Sequence, residues 1–445
     1  MKIKLFIALS LTLFVARAQE VPTKLSLDQA LSYAYAHNNQ MINAAQDVRD
    51  AYAQKWVTIA SGLPQIEGGL DYQNQLKRPV SLLPGEFFGG EPGTFIPVTF
   101  GQKQQMSATA TLRQQLFNGS YLVGLQAIKT FIEISALSEI KTKIEVQKAV
   151  VNAYTGVLAA QESERIIADN IKQLKATAEE TQKMWAQGMV EEEAIEQIQI
   201  TLANLENQGR NSRRVVIISQ QMLNVLLGLE LDHHIELTDE LAKLAAQELL
   251  EPVTEEFTAD KNIDYQLGVN LKEQKRLELK LQKSYSLPSI NTFVNYNSSA
   301  FADTFAFTQN QQQWFDSSIL GVNINMPLFT SLGNTAKTKR AKIAYLKAQN
   351  NLTQTQKQVL LQWEQAQSAW TLAMDNYHTA GQNLKLAERI EQKNQIKFKE
   401  GIASGFELRE AQLQLYGAQS TYLQAMLDLI NAKTALKTLT INDYK

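Results

Sequence analysis

The chain has 445 residues and no cysteine. That absence excludes disulfides, thiol catalysis and lipid attachment at an N-terminal cysteine, and it fits an exported protein that avoids accidental oxidation. Histidine is scarce. His233 and His234 are adjacent and so point apart on any regular element, His37 and His378 stand alone, and no metal site is expected. Net charge is only −2, which gives no reason to expect a nucleic-acid partner or strong attraction to an anionic surface. Neither a phosphate-cradling glycine loop nor a G-x-S-x-G elbow is present, so the residues offer no enzyme reading and no cofactor. Beyond the N-terminus, no stretch approaches the roughly 20 apolar residues that a spanning helix needs.

What is present starts with Lys2 and Lys4, an apolar run from Leu5 to Val15, and Ala16-Arg17-Ala18. A basic start, a short apolar run and small residues at a cleavage point are the layout of a secretory signal peptide, expected over 1–18.

The rest is written twice. "LPQIEGGLDY" at Leu63–Tyr72 returns as "LPSINTFVNY" at Leu287–Tyr296, so that Pro64 and Pro288 lie 224 positions apart. Leu116-Phe117 returns as Leu328-Phe329. "MWAQGMVEEEAIEQIQITL" at Met184–Leu202 aligns with "KFKEGIASGFELREAQLQL" at Lys397–Leu415 at a shift of 213, placing Gly188 on Gly401. A repeat this long is a duplicated half, not a solenoid period.

Each half changes period in the same order. Ser26–Thr58 reads as one helix opened by a capping box of Ser26 and Gln29. Pro64 stops it, because proline has no N–H and biases the residue before it toward extended geometry. The period then becomes two. Ile66, Gly68, Leu70 and Tyr72 face one way, with Glu67, Gly69, Asp71 and Gln73 opposite. A returning strand alternates Met106, Ala108, Ala110 and Leu112 with Ser107, Thr109, Thr111 and Arg113. In the second half Ile290, Thr292, Val294 and Tyr296 are answered by Leu320, Val322, Ile324, Met326 and Leu328, with Phe293 breaking the polar set. Pro64 and Pro288 are thus read as helix-to-strand switches, and the Gly/Pro-rich stretch after Leu76 as a loop. After Gly119 and Gly333 the helical period resumes and runs to Gly188 and Gly401. Each run is roughly 100 Å at 1.5 Å per residue, long enough to suggest a coiled coil.

Strands with an apolar side and a side rich in Asn, Gln and Thr suit a barrel between lipid and water. Four strands cannot close one, and an open edge in lipid leaves backbone groups unsatisfied. Two copies supply about eight strands, enough only for a filled interior, whereas three supply about twelve and leave a conduit.

On the paired L-P-x-I…Y strand starts, the paired Leu-Phe exits and the two glycine phrases, the chain resembles the TolC-type outer-membrane efflux protein family over essentially its whole mature length. The resemblance implies a mainly α fold with a small transmembrane β part, in which duplicated strand-hairpin and long-helix-hairpin halves give a 12-stranded trimeric β-barrel on an α-helical tunnel. It implies limits of 19–230 and 259–445 for the two repeats, with 231–258 joining them as part of an equatorial belt. It also implies a homotrimer in outer-membrane lipid of a Gram-negative bacterium, with its tunnel in the periplasm. Such a duct serves tripartite efflux or type I secretion, through a periplasmic adaptor protein and, beyond it, an inner-membrane transporter.

The family closes its periplasmic end with acidic rings, which carry over onto Glu407 and Glu410. Their spacing of three puts both on one helix face, so that each ring presents three carboxylates toward the axis, and like charges crowded there raise some carboxyl pKa values and attract cations into the mouth. An ordinary solvated helix face is the alternative. The family's locking tyrosine and arginine fall on Phe398 and Ala403, which cannot make those bonds. Glu191, Glu192 and Glu193 on the facing tip add repulsion, and Arg409 is the candidate for a substitute contact. Gly188-Met189 and Gly401-Ile402 mark the tips where the family meets its adaptor. Two other readings stay open at this point: a soluble periplasmic coiled-coil adaptor, and an outer-membrane adhesin or receptor that uses the Leu76–Gln105 loop.

Overall fold

Capping side chains and prolines set where the elements begin and end. The computed structural model describes residues 23–250 and 257–440; the expected signal peptide lies outside them. After β1 (Lys24–Leu25), α1 (Leu27–His37) starts at the expected capping box. The Gln29 amide donates to Ser26 Oγ, and Gln29 Oε1 accepts the Ser26 amide at 3.0 Å. The single helix expected to run to Thr58 is instead two, because Asn38 is extended, with ψ of 130°. Its Oδ1 accepts the amides of Gln40 and Met41 at 2.8 and 3.4 Å, which caps α2 (Asn39–Ala60), and its Nδ2 donates to the Leu226 carbonyl at 2.7 Å.

Pro64 follows α2 and precedes β2 (Gln65–Asn74). The expected loop holds a short hairpin of its own, β3 (Val80–Pro84) with β4 (Phe95–Thr99), turned by a 3-10 helix at Gly85–Phe88 and by Gly89 at φ 81°. Then come β5 (Gln104–Asn118), α3 (Gly119–Ala186), α4 (Glu192–Leu227), β6 (Glu236–Leu237) and α5 (Leu241–Leu250). The second half repeats the order with α6 (Ile263–Ser284), β7 (Ser289–Ala302), β8 (Trp314–Asn325), α7 (Gly333–Lys399) and α8 (Gly405–Lys437). Pro288 sits between α6 and β7. The last strand stops at Asn325, short of the expected Leu328, since Pro327 has no N–H for a ladder and Ser331 and Leu332 turn at positive φ.

The chain forms two compact units, and each draws on both halves. One holds residues 43–141 and 258–361. Its sheet is wholly antiparallel in the order β2-β5-β7-β8, so each half supplies one hairpin, and β5 pairs with β7. The register carries the alternation across all four strands. Ile66, Leu112, Val294 and Leu320 form one row, and Gly69, Thr109, Asn297 and Ser317 form a row on the opposite face. Asn295 Nδ2 donates to Thr111 Oγ1 at 2.7 Å on that polar face. Phe293, the residue out of pattern, lies over Gly321, where any Cβ would collide with its ring; an aromatic covering a strand glycine shields backbone that a side chain would otherwise cover.

The other unit holds the segment before residue 43 with 142–257 and 362–440. Its core centres on Tyr154, fully buried, whose hydroxyl lies 2.8 Å from Asp239 Oδ2 and 2.9 Å from the Leu25 carbonyl. Asp239 Oδ2 also accepts the Leu27 amide at 2.7 Å, which ties the start of α1 to the segment between β6 and α5. The long helices pair with heptad spacing, Ile198, Leu205 and Ser212 on α4 and Ala373, Ala380 and Ala387 on α7, all buried. Small residues let backbones approach: Gly209 faces Ile171, and Gly381 faces Tyr422.

Asn38→Ala removes a cap and leaves the half-buried Leu226 without the donor to its carbonyl. It is expected to cost about 2 kcal/mol and to lower the thermal midpoint followed by circular dichroism, whereas Asn38→Asp retains most of the cap.

Candidate functional site

Both long helices that open each pair end the same way. At the end of α3, the Met189 amide donates to the Met184 carbonyl at 2.9 Å and the Gly188 amide to Trp185 at 2.8 Å. At the end of α7, the Ile402 amide donates to Lys397 at 2.8 Å and the Gly401 amide to Phe398 at 3.0 Å. Each is a Schellman motif, which needs a left-handed residue, and Gly188 and Gly401 have φ of 72° and 70°. The motif leaves Met189 and Ile402 exposed at the turns, at 68% and 75%.

The returning helices start differently. Ser404 caps α8 in a full capping box: its Oγ accepts the Glu407 amide at 3.3 Å, and Glu407 Oε2 accepts the Ser404 amide at 2.7 Å. At the matching place Glu191 precedes α4 without a side-chain cap, and Glu192 and Glu193 lie in the first turn, where negative charge suits the helix dipole. Glu193 Oε1 accepts Gln197 Nε2 at 2.8 Å.

The two tips pack on one another. Phe398 is buried beside Gly405, where a Cβ would lie 3.3 Å from the Ala194 Cβ, and Ala403 is buried as well. Glu191 and Glu193 line a hollow of about 400 Å³ here, together with Met189, Phe398 and Phe406. Glu407 and Glu410 share a separate open groove with Asn394, Phe406 and Gln414. Arg409 stays with its own helix: its guanidinium lies 5.1 Å from the Phe406 ring centre and 3.7 Å from Glu410.

Within one chain the Glu407 carboxylate is held by its own helix cap. The Ser404 backbone amide, and then its hydroxyl, hold the Glu407 carboxyl below the usual range. Its stabilising contribution is therefore present at neutral pH and is lost only as pH falls through that lowered value. The S-x-x-E spacing of Ser404 and Glu407 is a capping signal that a reading for acidic rings passes over. Among the described residues no group of three or more metal-ligating side chains gathers, here or elsewhere.

A second carboxyl gave no sequence signal. Glu391 on α7 is only 5% exposed and lies 3.3 Å from Gln173 Nε2 on α3. Burial raises its pKa, and burial together with the Glu391 charge pushes Tyr416 on α8 up to about 12. A carboxyl raised on folding keeps more protons folded than unfolded, so stability falls as pH rises from the ordinary glutamate range through the raised value. Glu391→Gln is expected to stabilise the protein by on the order of 1 kcal/mol at pH 7.5 and by less at pH 4.5, as read from melting temperatures at both pH values.

The family model for outer membrane efflux proteins matches residues 27–229 and 273–440. No curated protein matches the sequence. Among solved structures, the outer membrane protein VceC of Vibrio cholerae is 14% identical with a TM-score of 0.71, over 93% of this chain and 95% of that one. The CmeC outer membrane channel of Campylobacter jejuni is 15% identical with a TM-score of 0.74, over 94% and 86%. The open state of the Neisseria gonorrhoeae MtrE outer membrane channel is 14% identical with a TM-score of 0.72, over 93% and 88%. At such identities these likenesses speak for the fold alone. The family match takes in both strand hairpins and all four long helices, and by it this chain belongs to the outer membrane efflux protein family, a family of Gram-negative outer-membrane channels and not of enzymes.

Proposed function

We propose that three copies of the chain form a passive exit duct, a 12-stranded barrel in the outer membrane continued by an α-helical tunnel through the periplasm. The sheet carries this reading. β2 and β8 are its edges and run antiparallel to one another, so β8 of one copy can pair with β2 of the next and keep the whole ring antiparallel. One face bears exposed Ile66, Leu70, Leu320, Val322 and Ile324, as a lipid-facing side requires. The other bears Asn, Thr and Ser, as a wet lumen requires. Among the described residues no helix is long and apolar enough to cross a membrane.

In this reading the duplicated halves are the two repeats, 19–230 and 259–445. The segment 231–258 belongs to a belt around the tunnel, supported by the short parallel pairing of β6 with β1. Glu407 and Glu410 ring the periplasmic mouth and concentrate cations there, with Phe398, Glu191, Glu192, Glu193 and Arg409 as neighbours at the tips. The exposed Met189 and Ile402, set out by Gly188 and Gly401, meet a periplasmic adaptor protein, which links the duct to an inner-membrane transporter in tripartite efflux or type I secretion. The groove shared by Glu407 and Glu410 supports the mouth assignment.

The absence of native cysteine makes the assembly simple to test. Leu70→Cys combined in turn with Leu320→Cys, Val322→Cys or Ile324→Cys is expected to give oxidised dimer and trimer bands and nothing larger, and monomer alone for every pair would refute edge pairing. In planar bilayers the purified protein is expected to form stable cation-selective pores whose selectivity falls toward unity in Glu407→Gln/Glu410→Gln. Glutamine keeps the capping position filled, so the change reads charge and not tip folding. Pores with unchanged selectivity would keep the duct and remove the acidic mouth.

A further inference from the structure

The net charge of −2 hides a strongly one-signed segment. Between Asp316 and Glu364 the chain has no carboxylate, and within it Lys337, Lys339, Arg340, Lys342 and Lys347 crowd the first turns of α7. At 3.6 residues per turn Lys337, Arg340 and Lys347 fall on one side of the helix and Lys339 and Lys342 on the other. All five are exposed. α6 adds Lys280 and Lys283 near its end, and its nearest acids are already engaged, Glu273 by Arg276 at 2.6 Å and Glu278 by Lys275 at 2.8 Å. The first half has no such cluster: Lys129 is the only cation from Gly119 to Glu133.

The cluster sits where β8 gives way to helix. Leu328, Phe329 and Leu332 precede it and are 87%, 83% and 74% exposed. Beside them an open groove of about 840 Å³ joins the strand end to the cations and is lined by Gln282, Tyr285, Pro327, Thr330, Lys337 and Arg340. Apolar side chains next to a row of cations, with amide, hydroxyl and guanidinium donors in the groove between, match the two parts of a phospholipid at a membrane surface: acyl chain and phosphate.

We propose that this collar binds anionic phospholipid headgroups of the leaflet on the helical side of the barrel, and so fixes the depth of the sheet in the bilayer. The inference rests on the membrane reading above. Each cation removed is expected to weaken binding by roughly fivefold at low salt, and added salt to weaken it further.

The test is native mass spectrometry of the delipidated full-length channel titrated with phosphatidylglycerol or phosphatidylethanolamine, alongside insertion into vesicles of either composition. Wild type is expected to retain phosphatidylglycerol preferentially. Lys337→Gln/Lys339→Gln/Arg340→Gln/Lys342→Gln is expected to lose that preference, while Lys337→Arg/Lys339→Arg/Lys342→Arg keeps it. Equal retention of the two lipids by inserted wild type overturns the collar and leaves the duct intact. Retention abolished by inorganic phosphate at matched concentration reassigns the groove to free phosphate and overturns the lipid assignment. Failure to enter vesicles of either composition removes the membrane reading, and the collar with it.

Discussion

A backbone N–H or C=O facing hydrocarbon without a partner costs several kcal/mol, and β2 and β8 present a full row of such groups. That constraint organises everything else in the sheet. In the proposed membrane setting it would leave the four-stranded sheet incomplete by itself and make the antiparallel relation of its two edges consequential. A long, flat, apolar edge strand would be an aggregation hazard in a soluble protein. Here the edges fit the proposed ring, in which pairing between copies removes them.

The helical pairs answer a different problem. A 68-residue helix cannot bury an apolar stripe against a sheet of ten-residue strands, so it needs other helices packed along it. The heptad spacing of Ile198, Leu205 and Ser212, and of Ala373, Ala380 and Ala387, supplies the seams. Polar residues enter them with their own bonds: Asn170 Nδ2 donates to Gln419 at 2.9 Å, and Thr181 Oγ1 donates back to the Thr177 carbonyl at 2.8 Å. Glu391 is the member of these seams whose charge burial opposes, which makes the packing around it sensitive to pH.

Much of this was legible because backbone chemistry writes itself locally. A proline between an amphipathic run and an alternating one marks Pro64 and Pro288 at helix-to-strand changes. A glycine between two helical runs marks Gly188 and Gly401, because few other residues accept the left-handed turn. At Asn38 the reading missed because the deciding contact lies far away in sequence. Asn38 breaks a run of good helical periodicity because the Leu226 carbonyl, 188 residues on, is there to receive its amide. The β3–β4 hairpin is hidden in a glycine- and proline-rich stretch, since five-residue strands carry too little alternation to register.

The sequence by itself determined the duplication, the order of strand hairpin and helix hairpin, the turn positions and the apolar and polar sides of each strand. All of these follow from period, proline and glycine, which act within a few residues. Only the tertiary structure decided that β5 pairs with β7 to make one sheet of the two hairpins. It also decided that Phe293 covers Gly321, that Arg409 stacks on Phe406 near Glu410, and that Glu391 is buried between Gln173 and Tyr416. These depend on which distant segments share space, and no local period carries that information.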